Sequence, residues 1–546
     1  MSPATPADAG FRPQLGLFDA TMLVAGTMIG SGIFIVSADI ARDVGSSGWL
    51  MLVWVLTGVM TIIGALSYAE LAAMMPNAGG QYVYLREAYG PLPAFLYGWT
   101  CFLVIQTGSI AAVGVAFAKF LGVLVPALGT DRILWRFDHD DIQLTLPVPW
   151  MAEPLTFFER KEFAISAGQL VAVAVVALLS LLNCRGVREG KIVQNTFTVA
   201  KTLALILLIV VGLTIAINPA ALAGNTADIW GGITQTGRYD EVSKFAPISS
   251  LAIVLVVCGA MVGSLFSADA WNNITFTAGE IKDPRRNLPR SLALGTGMVI
   301  LLYLLANVAY LAVLPIQPNP DLVALTKVFD QEAEQAERAG DHDKAAALRA
   351  TRAGVVDDLG PSNRGIAMAK DDRVGTAVLQ EVSPNLGVSF MAIAIMISTF
   401  GCVNGMVLMG ARLYYAMAQD RLFFRSVGIL NSRGVPAVGL ILQGVWSILL
   451  IFSGSYSELL DYVIFAVLIF YVLTVWGLFI LRRALPDAPR PVRAFGYPVL
   501  PALYITMCAI IAVALLIVKP VYSWPSFLLV LTGIPVYYLW PGKAKT

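Results

Sequence analysis

Runs of about 20 apolar residues recur along the chain and are separated by shorter polar connections. A helix needs roughly 20 apolar residues to cross the hydrocarbon core of a bilayer. Each crossing segment should be helical, because lipid offers backbone groups no hydrogen-bond partner. The pattern predicts twelve spans, at residues 17–41, 48–74, 92–125, 164–183, 195–217, 248–280, 289–314, 386–418, 436–452, 459–482, 500–518 and 523–540.

Span 1 is interrupted at its middle, where Gly26, Gly30 and Gly32 fall within seven residues. Each glycine inside a helix costs about 1 kcal/mol relative to alanine. Unwound backbone at membrane depth is tolerated where it lines a cavity or is buried in protein. The N–H groups and the positive dipole end of the following half-helix would suit a carboxylate. The alternative is a small-residue packing face from Gly26 to Gly30.

Span 6 has polar residues at its centre: Ser267, Asp269, Asn272 and Asn273. A charged side chain at mid-membrane costs roughly 2.5–3.5 kcal/mol, so Asp269 needs a function, a partner or water. A structural polar cluster between helices is the alternative. Spans 1 and 6 open two successive five-span units, at residues 17–217 and 248–482. Interrupted helices at matching positions of two units indicate an inverted-repeat transporter with a site at the midplane.

Span 5 contains Lys201. Its side chain could snorkel to the nearer membrane surface. Alternatively, it could be an ammonium group that faces inward and stands where a transporter would otherwise hold Na⁺. Such a lysine could stay charged, or it could gain and lose a proton in each cycle. Span 8 supplies polar neighbours for it: Ser398, Thr399, Cys402 and Asn404.

Composition and charge narrow the class of protein. Only 13% of the residues are charged, against about 25% in soluble domains, so water cannot be the solvent for most of the surface. The net charge of +1 indicates no nucleic-acid partner. The sequence shows no paired carboxylates and no metal-ligand triad, and its two histidines, His139 and His342, lie in the connections. We therefore expect that the protein is not an enzyme and that it binds no metal and no cofactor. A channel on the same bundle is a further alternative, but the few midplane polar groups favour one occluded site.

Arginine and lysine are concentrated in the connections after spans 4, 6, 8 and 10. The positive-inside rule makes this face cytoplasmic, with both termini inside and residues 1–16 as a polar tail without a cleavable signal. The longer connections, 126–163 and 316–385, then lie outside. Within the second, an insert at about 318–364 has the composition of a solvated helical element without chemistry. The five cysteines show neither metal-ligand spacing nor a disulfide framework.

Several strings resemble known transporters. GTMIGSGIF, at residues 26–34, is similar to the glycine motif of the amino acid–polyamine–organocation (APC) superfamily. Residues 266–292, FSADAWNNITFTAGEIKDPRRNLPRSL, and residues 193–205, VQNTFTVAKTLAL, resemble spans 6 and 5 of the L-type amino acid transporter (LAT) family. Residues 400–420 and 531–540 resemble its spans 8 and 12. The chain is therefore most similar to bacterial members of the LAT family.

This resemblance implies an all-α membrane protein of twelve helices in the bacterial inner membrane. The fold would be a LeuT-type 5+5 inverted repeat with broken helices 1 and 6 and two extra C-terminal spans at 500–540. It also implies a sodium-independent exchanger of neutral L-amino acids that works by alternating access.

The family's site residues carry over by position. The implied substrate-binding residues are Met28, Ile29, Gly30, Ser31, Gly32, Phe266, Ser267 and Asp269. Ser31 and Gly32 would bind the substrate carboxylate, and carbonyls near Met28 and at 266–269 would bind its ammonium group. Phe266 would be an aromatic gate. Lys201, with Ser398 and Cys402, would bridge span 5 to spans 1 and 8 in place of sodium.

Three features depart from the family pattern. The insert at 318–364 is extra, and Cys402 stands where a serine is expected. Residues 126–163 contain no cysteine, so we expect no disulfide-linked heavy subunit. The expected partners are the amino acid substrate and the lipid bilayer. A proton-coupled symporter of amino acids or polyamines is the alternative function, because Asp269 could favour a cationic amine. The apolar or small Ile29, Phe266, Ala268 and Ala270 favour neutral substrates.

Overall fold

The computed structural model describes residues 11–137, 142–146, 155–160, 163–244, 246–339, 341–453 and 456–540. Helices lie at all twelve predicted positions. In the first six they are Leu17–Met28 (1a) and Gly32–Val44 (1b), Ser47–Met74, Pro91–Thr100 continued by Cys101–Ile105 and Gln106–Leu124, Ala167–Cys184, Val187–Thr214, and Ser249–Ser267 (6a) with Trp271–Glu280 (6b). In the second six they are Pro284–Val313, Pro384–Gln419, Ala437–Ile451, Tyr456–Ala484, Val499–Val518 and Pro520–Leu539.

Ten of these segments are long and apolar enough to cross a membrane, judged over the residues that the structure describes. Span 9, Ala437–Ile451, is apolar but has only 15 residues. Span 12 contains Pro525 and Pro535 inside its helix and is not among the ten. The chain is therefore a helical multi-span membrane protein, and the arrangement of all twelve spans as a LeuT-type repeat stays a prediction.

Span 5 begins at Val187, about two turns before the predicted residue 195. The charged run before residue 195 favours a connection, but it forms the first turns of the helix. Lys191 in this run and the adjacent Asn195 contact span 1, where Lys191 Nζ and Asn195 Nδ2 each donate to the Asp19 carboxylate at 2.8 Å. This tertiary contact accounts for polar side chains in the first turns of the helix.

The connection between spans 3 and 4 contains strands that the sequence analysis did not predict. β1 (Ile133–Phe137) pairs antiparallel with β4 (Phe163–Ser166), and β2 (Ile142–Leu146) pairs antiparallel with β3 (Leu155–Arg160). The all-α class describes the membrane-spanning part, and these strands lie in a connection for which the sequence analysis predicts no regular structure. Predicted loop residue His139 lies outside the described residues.

The remaining helices are short and connect the spans. They are Gln81–Tyr89, Pro126–Leu128, Pro219–Ala227, Gly231–Gln235, Gly237–Ser243, Pro361–Arg364, Lys370–Asp372, Val374–Val382 and Arg425–Gly428. The spans themselves pack in two groups. Spans 1, 2, 6 and 7 contact one another, and so do spans 3, 4, 5, 8 and 9. Half-helix 1a also contacts spans 5 and 8, so the middle of span 1 lies where the two groups meet.

The insert forms two helices, Pro320–Arg338 and His342–Asp358, which pack against each other. An ion pair of 2.8 Å joins Arg349 Nη2 to Glu337 Oε1 across this helical hairpin. Most of the described side chains of both helices are exposed. The structure therefore shows the solvated helical element that the composition of the insert predicts.

A short neck connects the hairpin to the membrane part. The Asn319 N–H donates to Asn363 O at 2.9 Å and closes the neck. Gln317 Nε2 donates to the last carbonyls of half-helix 1b, Ala41 O at 3.3 Å and Gly45 O at 3.2 Å. The neck therefore caps half-helix 1b, while the hairpin lies beyond the neck.

This geometry predicts that the hairpin contributes little to the stability of the membrane part. Replacing residues 320–359 by a short Gly-Ser linker should leave the melting temperature of the purified protein within about 2 °C of wild type, because the Asn319–Asn363 closure remains. Asn225→Ala is the control. The buried Asn225 amide donates to Leu311 O and Leu314 O, both at 2.8 Å. Its loss should cost about 1–3 kcal/mol and lower the melting temperature. A large drop for the deletion would contradict the expectation.

Candidate functional site

Span 1 is broken over three residues. Half-helix 1a ends at Met28, Ile29 leaves helical geometry with ψ at 92°, and 1b starts at Gly32. A Cβ on Gly32 would overlap the Ser267 side chain at the end of 6a, so glycine allows the two broken helices to touch. The first N–H groups of 1b have no acceptor within the helix.

Gly26 has a different role from the glycines of the break. A Cβ there would overlap the Gln194 and Thr198 side chains of span 5. Gly26 therefore permits close packing of two helices, as the alternative interpretation of the glycine motif proposes. The packing interpretation applies to this glycine, whereas Gly30 lies within the unwound turn and Gly32 begins the helix that follows it.

Lys201 reaches the break of span 1 from span 5. Its ammonium group donates to Gly26 O at 2.5 Å, to Ile29 O at 2.6 Å and to Ser398 O at 3.2 Å. The residue is fully buried, fourteen residues after the start of the helix at Val187 and thus about 21 Å along it. This position excludes snorkelling to the surface.

The electrostatic surroundings suit a cation at this place. The acceptors of Lys201 include carbonyls at the C-terminal end of 1a, where the helix dipole is negative. An ammonium group has three N–H donors, and all three have a carbonyl within hydrogen-bond distance. A neutral amine has one N–H fewer and would direct its lone pair at one of these oxygens, so the three acceptors favour the charged ammonium form.

Span 8 supplies further donors to the unwound turn. The Ser398 hydroxyl lies 3.1 Å from Ile29 O and 3.0 Å from Gly30 O, either of which can accept its proton. The Cys402 thiol donates to Thr27 O, with the sulfur 3.0 Å away. The cysteine that departs from the family pattern therefore still has a donor in contact with the break.

Span 7 adds a residue that the sequence analysis missed. The Tyr303 hydroxyl lies 2.9 Å from Met28 O and 3.1 Å from Ser267 O, so it bridges the last carbonyls of 1a and 6a. Tyr303 is buried. A tyrosine in an apolar span resembles ordinary core packing, and its contact with both breaks follows only from the tertiary structure.

The break of span 6 runs from Ala268 to Ala270. Ala270 adopts left-handed geometry with φ at 66°, which costs an alanine roughly 1–2 kcal/mol. The Tyr471 hydroxyl of span 10 donates to the Asp269 carboxylate. The Thr27 hydroxyl lies 3.3 Å from Ala270 O and connects the two breaks. Asp269 therefore has a protein partner and faces the cavities described next.

A cavity lies between the two breaks. Its lining includes the predicted residues Met28, Gly30, Ser31, Gly32, Phe266, Ser267, Asp269 and Cys402. Ile29 is fully buried and contributes its carbonyl to Lys201 instead. Ser109 and Val113 of span 3 and Met406 of span 8 complete the wall and were not predicted, because small and apolar side chains inside apolar spans carry no signal.

A second cavity adjoins the first, and both are lined by Ser109, Asp269, Ala270 and Met406. We call it the amide chamber after four of its side chains, Gln81, Gln106, Asn272 and Asn273. Of the predicted central polar residues of span 6, Asn272 and Asn273 therefore line this chamber, Ser267 lines the cavity between the breaks, and Asp269 lines both.

Other chemistry has little support among the described residues. There, no group of three His, Cys, Asp or Glu side chains could hold a metal ion. The five cysteines are free thiols, four of them buried and Cys184 half-buried.

Comparison with known proteins gives a consistent picture. The family model described as "Amino acid permease" matches residues 15–329 and 360–539. The internal gap in this match, residues 330–359, covers the second half of the first hairpin helix and the whole of the second. Most of the hairpin is thus an addition to a core that otherwise follows the family.

Full-length relatives point the same way. The chain is 27% identical over 543 residues to the human large neutral amino acids transporter small subunit 2, covering 98% of this chain and 82% of the human protein. It is 26% identical over 536 residues to the human b(0,+)-type amino acid transporter 1, covering 98% and 89%. These matches confirm the resemblance to APC and LAT transporters. The chain belongs to the amino acid permease family.

Proposed function

We propose that this protein is a sodium-independent secondary transporter that exchanges neutral L-amino acids across the bacterial inner membrane by alternating access. The observation that carries the proposal is the fully buried Lys201 ammonium group on the carbonyls of the span 1 break. A fixed cation there makes a bound Na⁺ unnecessary. The printed names of the relatives, which describe amino acid transporters, support the substrate class.

In this proposal the substrate carboxylate binds at the start of 1b. The N–H groups of the first helical turn, beginning at Gly32, and the positive dipole end would bind it, together with the Ser31 hydroxyl. The Ser31 and Gly32 positions line the cavity between the breaks. Glycine at 32 is needed because any Cβ would push 6a away.

The substrate ammonium group binds at the opposite wall, among carbonyls at the ends of 1a and 6a. Met28 O and Ser267 O contact the Tyr303 hydroxyl, but a carbonyl has two lone pairs and can accept a second bond. Phe266 lines the same cavity and is half-buried, as an aromatic gate over the substrate requires. The proposal includes no enzymatic step and no cofactor.

Coupling to protons is the second candidate, with amino acids or polyamines as substrates. The observation in its favour is Asp269, whose carboxylate lies at the junction of two cavities and could attract an organic cation. Against it, the three carbonyl acceptors around Lys201 favour a permanent ammonium group over an amine that releases its proton. We therefore favour exchange.

We further propose that both termini are cytoplasmic and that no disulfide links this chain to a partner subunit. The basic connections after spans 4, 6, 8 and 10 support the orientation. The absence of cysteine from residues 126–163 supports the second statement. The name "small subunit" describes the human relative and does not alter this expectation.

Exchange can be tested in proteoliposomes. Uptake of labelled leucine or alanine should require internal unlabelled amino acid and should be unchanged when choline replaces Na⁺. An inward pH gradient should not drive accumulation into vesicles that contain no amino acid. Accumulation under that gradient would favour the proton-coupled symporter. A requirement for Na⁺ would refute both candidate functions. Amino acid flux without accelerated exchange would indicate a channel.

Lys201→Met keeps much of the side-chain length but removes the charge. It takes away the donor to Gly26 O and one of the two donors near Ile29 O, the other being the Ser398 hydroxyl. We expect exchange to fall about 10- to 100-fold, with a smaller loss of substrate binding. Lys119→Ala, in span 3, is the control for loss of a positive charge and should keep wild-type exchange. Wild-type exchange by folded Lys201→Met protein would remove the basis of the proposal.

Gly32→Ala tests the carboxylate site. The new Cβ would overlap Ser267, so we expect amino acid binding to weaken at least tenfold, measured by ligand-induced thermal stabilisation. Gly297→Ala, in span 7, is the matched control, because no atom lies within 4 Å of its Cβ position. Unchanged affinity in folded Gly32→Ala protein would show that the close approach of 1b and 6a is not required.

A further inference from the structure

The helix Gln81–Tyr89, between spans 2 and 3, begins against half-helix 6b. The Gly79 N–H donates to Phe276 O at 3.1 Å. Gly80 has φ at 45°, and a Cβ there would overlap Thr275, so the chain can pass this close to 6b only with glycine. The glycine pair thereby delivers the next side chain, Gln81, between 6b and span 10.

Gln81 is buried and uses both ends of its amide. Its Oε1 accepts from Asn272 Nδ2 at 2.8 Å, at the second residue of 6b. Its Nε2 donates to Thr474 Oγ1 at 2.9 Å and lies 3.3 Å from Phe470 O, both in span 10. The side chain therefore connects the start of 6b to span 10.

Tyr471 makes a second connection on the same face of span 10. It precedes Thr474 by three residues, about one helical turn, and its hydroxyl donates to Asp269. Asp269 lies within the break and Asn272 lies just after it. Span 10 thus holds both sides of the turn into 6b, directly through Tyr471 and indirectly through Gln81.

We propose that Gln81 is a positioning residue that fixes the start of 6b on span 10 and so sets the balance between the two access states. The inference rests on the proposed function. Gln81, Asn272 and Phe470 all line the amide chamber, which adjoins the cavity between the breaks. Opening a path along 6b requires 6b to move away from span 10. The hydrogen bonds that the Gln81 side chain makes to 6b and to span 10 must then break.

Half-helix 6b leads to the basic connection that we assign to the cytoplasm, so the bonds of Gln81 oppose opening on that side. Removing them should stabilise the inward-open state relative to the outward-open state. Because binding from each side requires the state open to that side, the two apparent affinities should change in opposite directions.

The experiment measures the KM for labelled leucine on the external and the cytoplasmic face of oriented proteoliposomes. Gln81→Leu removes all the bonds of the side-chain amide at similar volume. Thr474→Val removes the hydroxyl acceptor on span 10 and leaves Phe470 O. We expect the ratio of the two KM values to change about three- to tenfold in Gln81→Leu, the size expected for one or two buried hydrogen bonds. The effect in Thr474→Val should be smaller, and the double variant should not exceed Gln81→Leu.

Gln169→Leu is the matched control. Gln169 is in span 4, and its Nε2 donates to Ile451 O at 3.1 Å, within the other group of spans. It should leave the KM ratio unchanged. A wild-type KM ratio in folded Gln81→Leu protein, or a fall in the maximal rate alone, would overturn the inference. If Gln81→Leu does not fold, the KM ratio of Thr474→Val is the test, and a wild-type ratio there would overturn the inference. Wild-type exchange in the same vesicles tests the proposed function separately, since its absence would refute both proposals.

Discussion

The hydrogen-bond requirement of unwound backbone inside the protein is the constraint on which the site depends. Breaking span 1 frees carbonyls in a region without bulk water, where an unpaired carbonyl costs several kcal/mol. Side chains from three other spans supply the donors: Lys201, Tyr303, Ser398 and Cys402. The break therefore exists only because distant parts of the chain converge on it, and the cavity beside it is formed by the same contacts.

This arrangement explains why a charged group can be buried although no carboxylate of the described part of the chain lies at hydrogen-bond distance from it. Lys201 binds backbone dipoles at the C-terminal end of 1a, and these replace its hydration. The same ammonium group connects span 1, which belongs to one packing group, to spans 5 and 8, which belong to the other. In the proposed exchanger a single cation thus satisfies the break and joins the parts that move relative to each other.

The far ends of the broken helices are fixed by other polar contacts. Glu280, at the end of 6b, pairs with the buried Arg412 of span 8 at 3.0 Å, and its carbonyl accepts from the Gln14 and Leu15 N–H groups before span 1. A buried ion pair of this kind specifies an arrangement more than it adds stability. At the opposite end of span 1, Gln317 from the neck of the insert caps 1b. Both halves of span 1 are therefore tied to neighbouring segments.

The sequence by itself determined which segments are spans, where spans 1 and 6 break, and that Lys201 and Asp269 need partners. Hydrophobic run length, glycine clustering and the cost of a charge in lipid are local quantities, so the order of residues reveals them. Tertiary structure decided the rest, including the start of span 5 at Val187, the strands before span 4, and the contacts of Tyr303 and Gln81. These depend on residues tens to hundreds of positions apart. A tyrosine or glutamine in an apolar chain does not specify its partner until the helices pack.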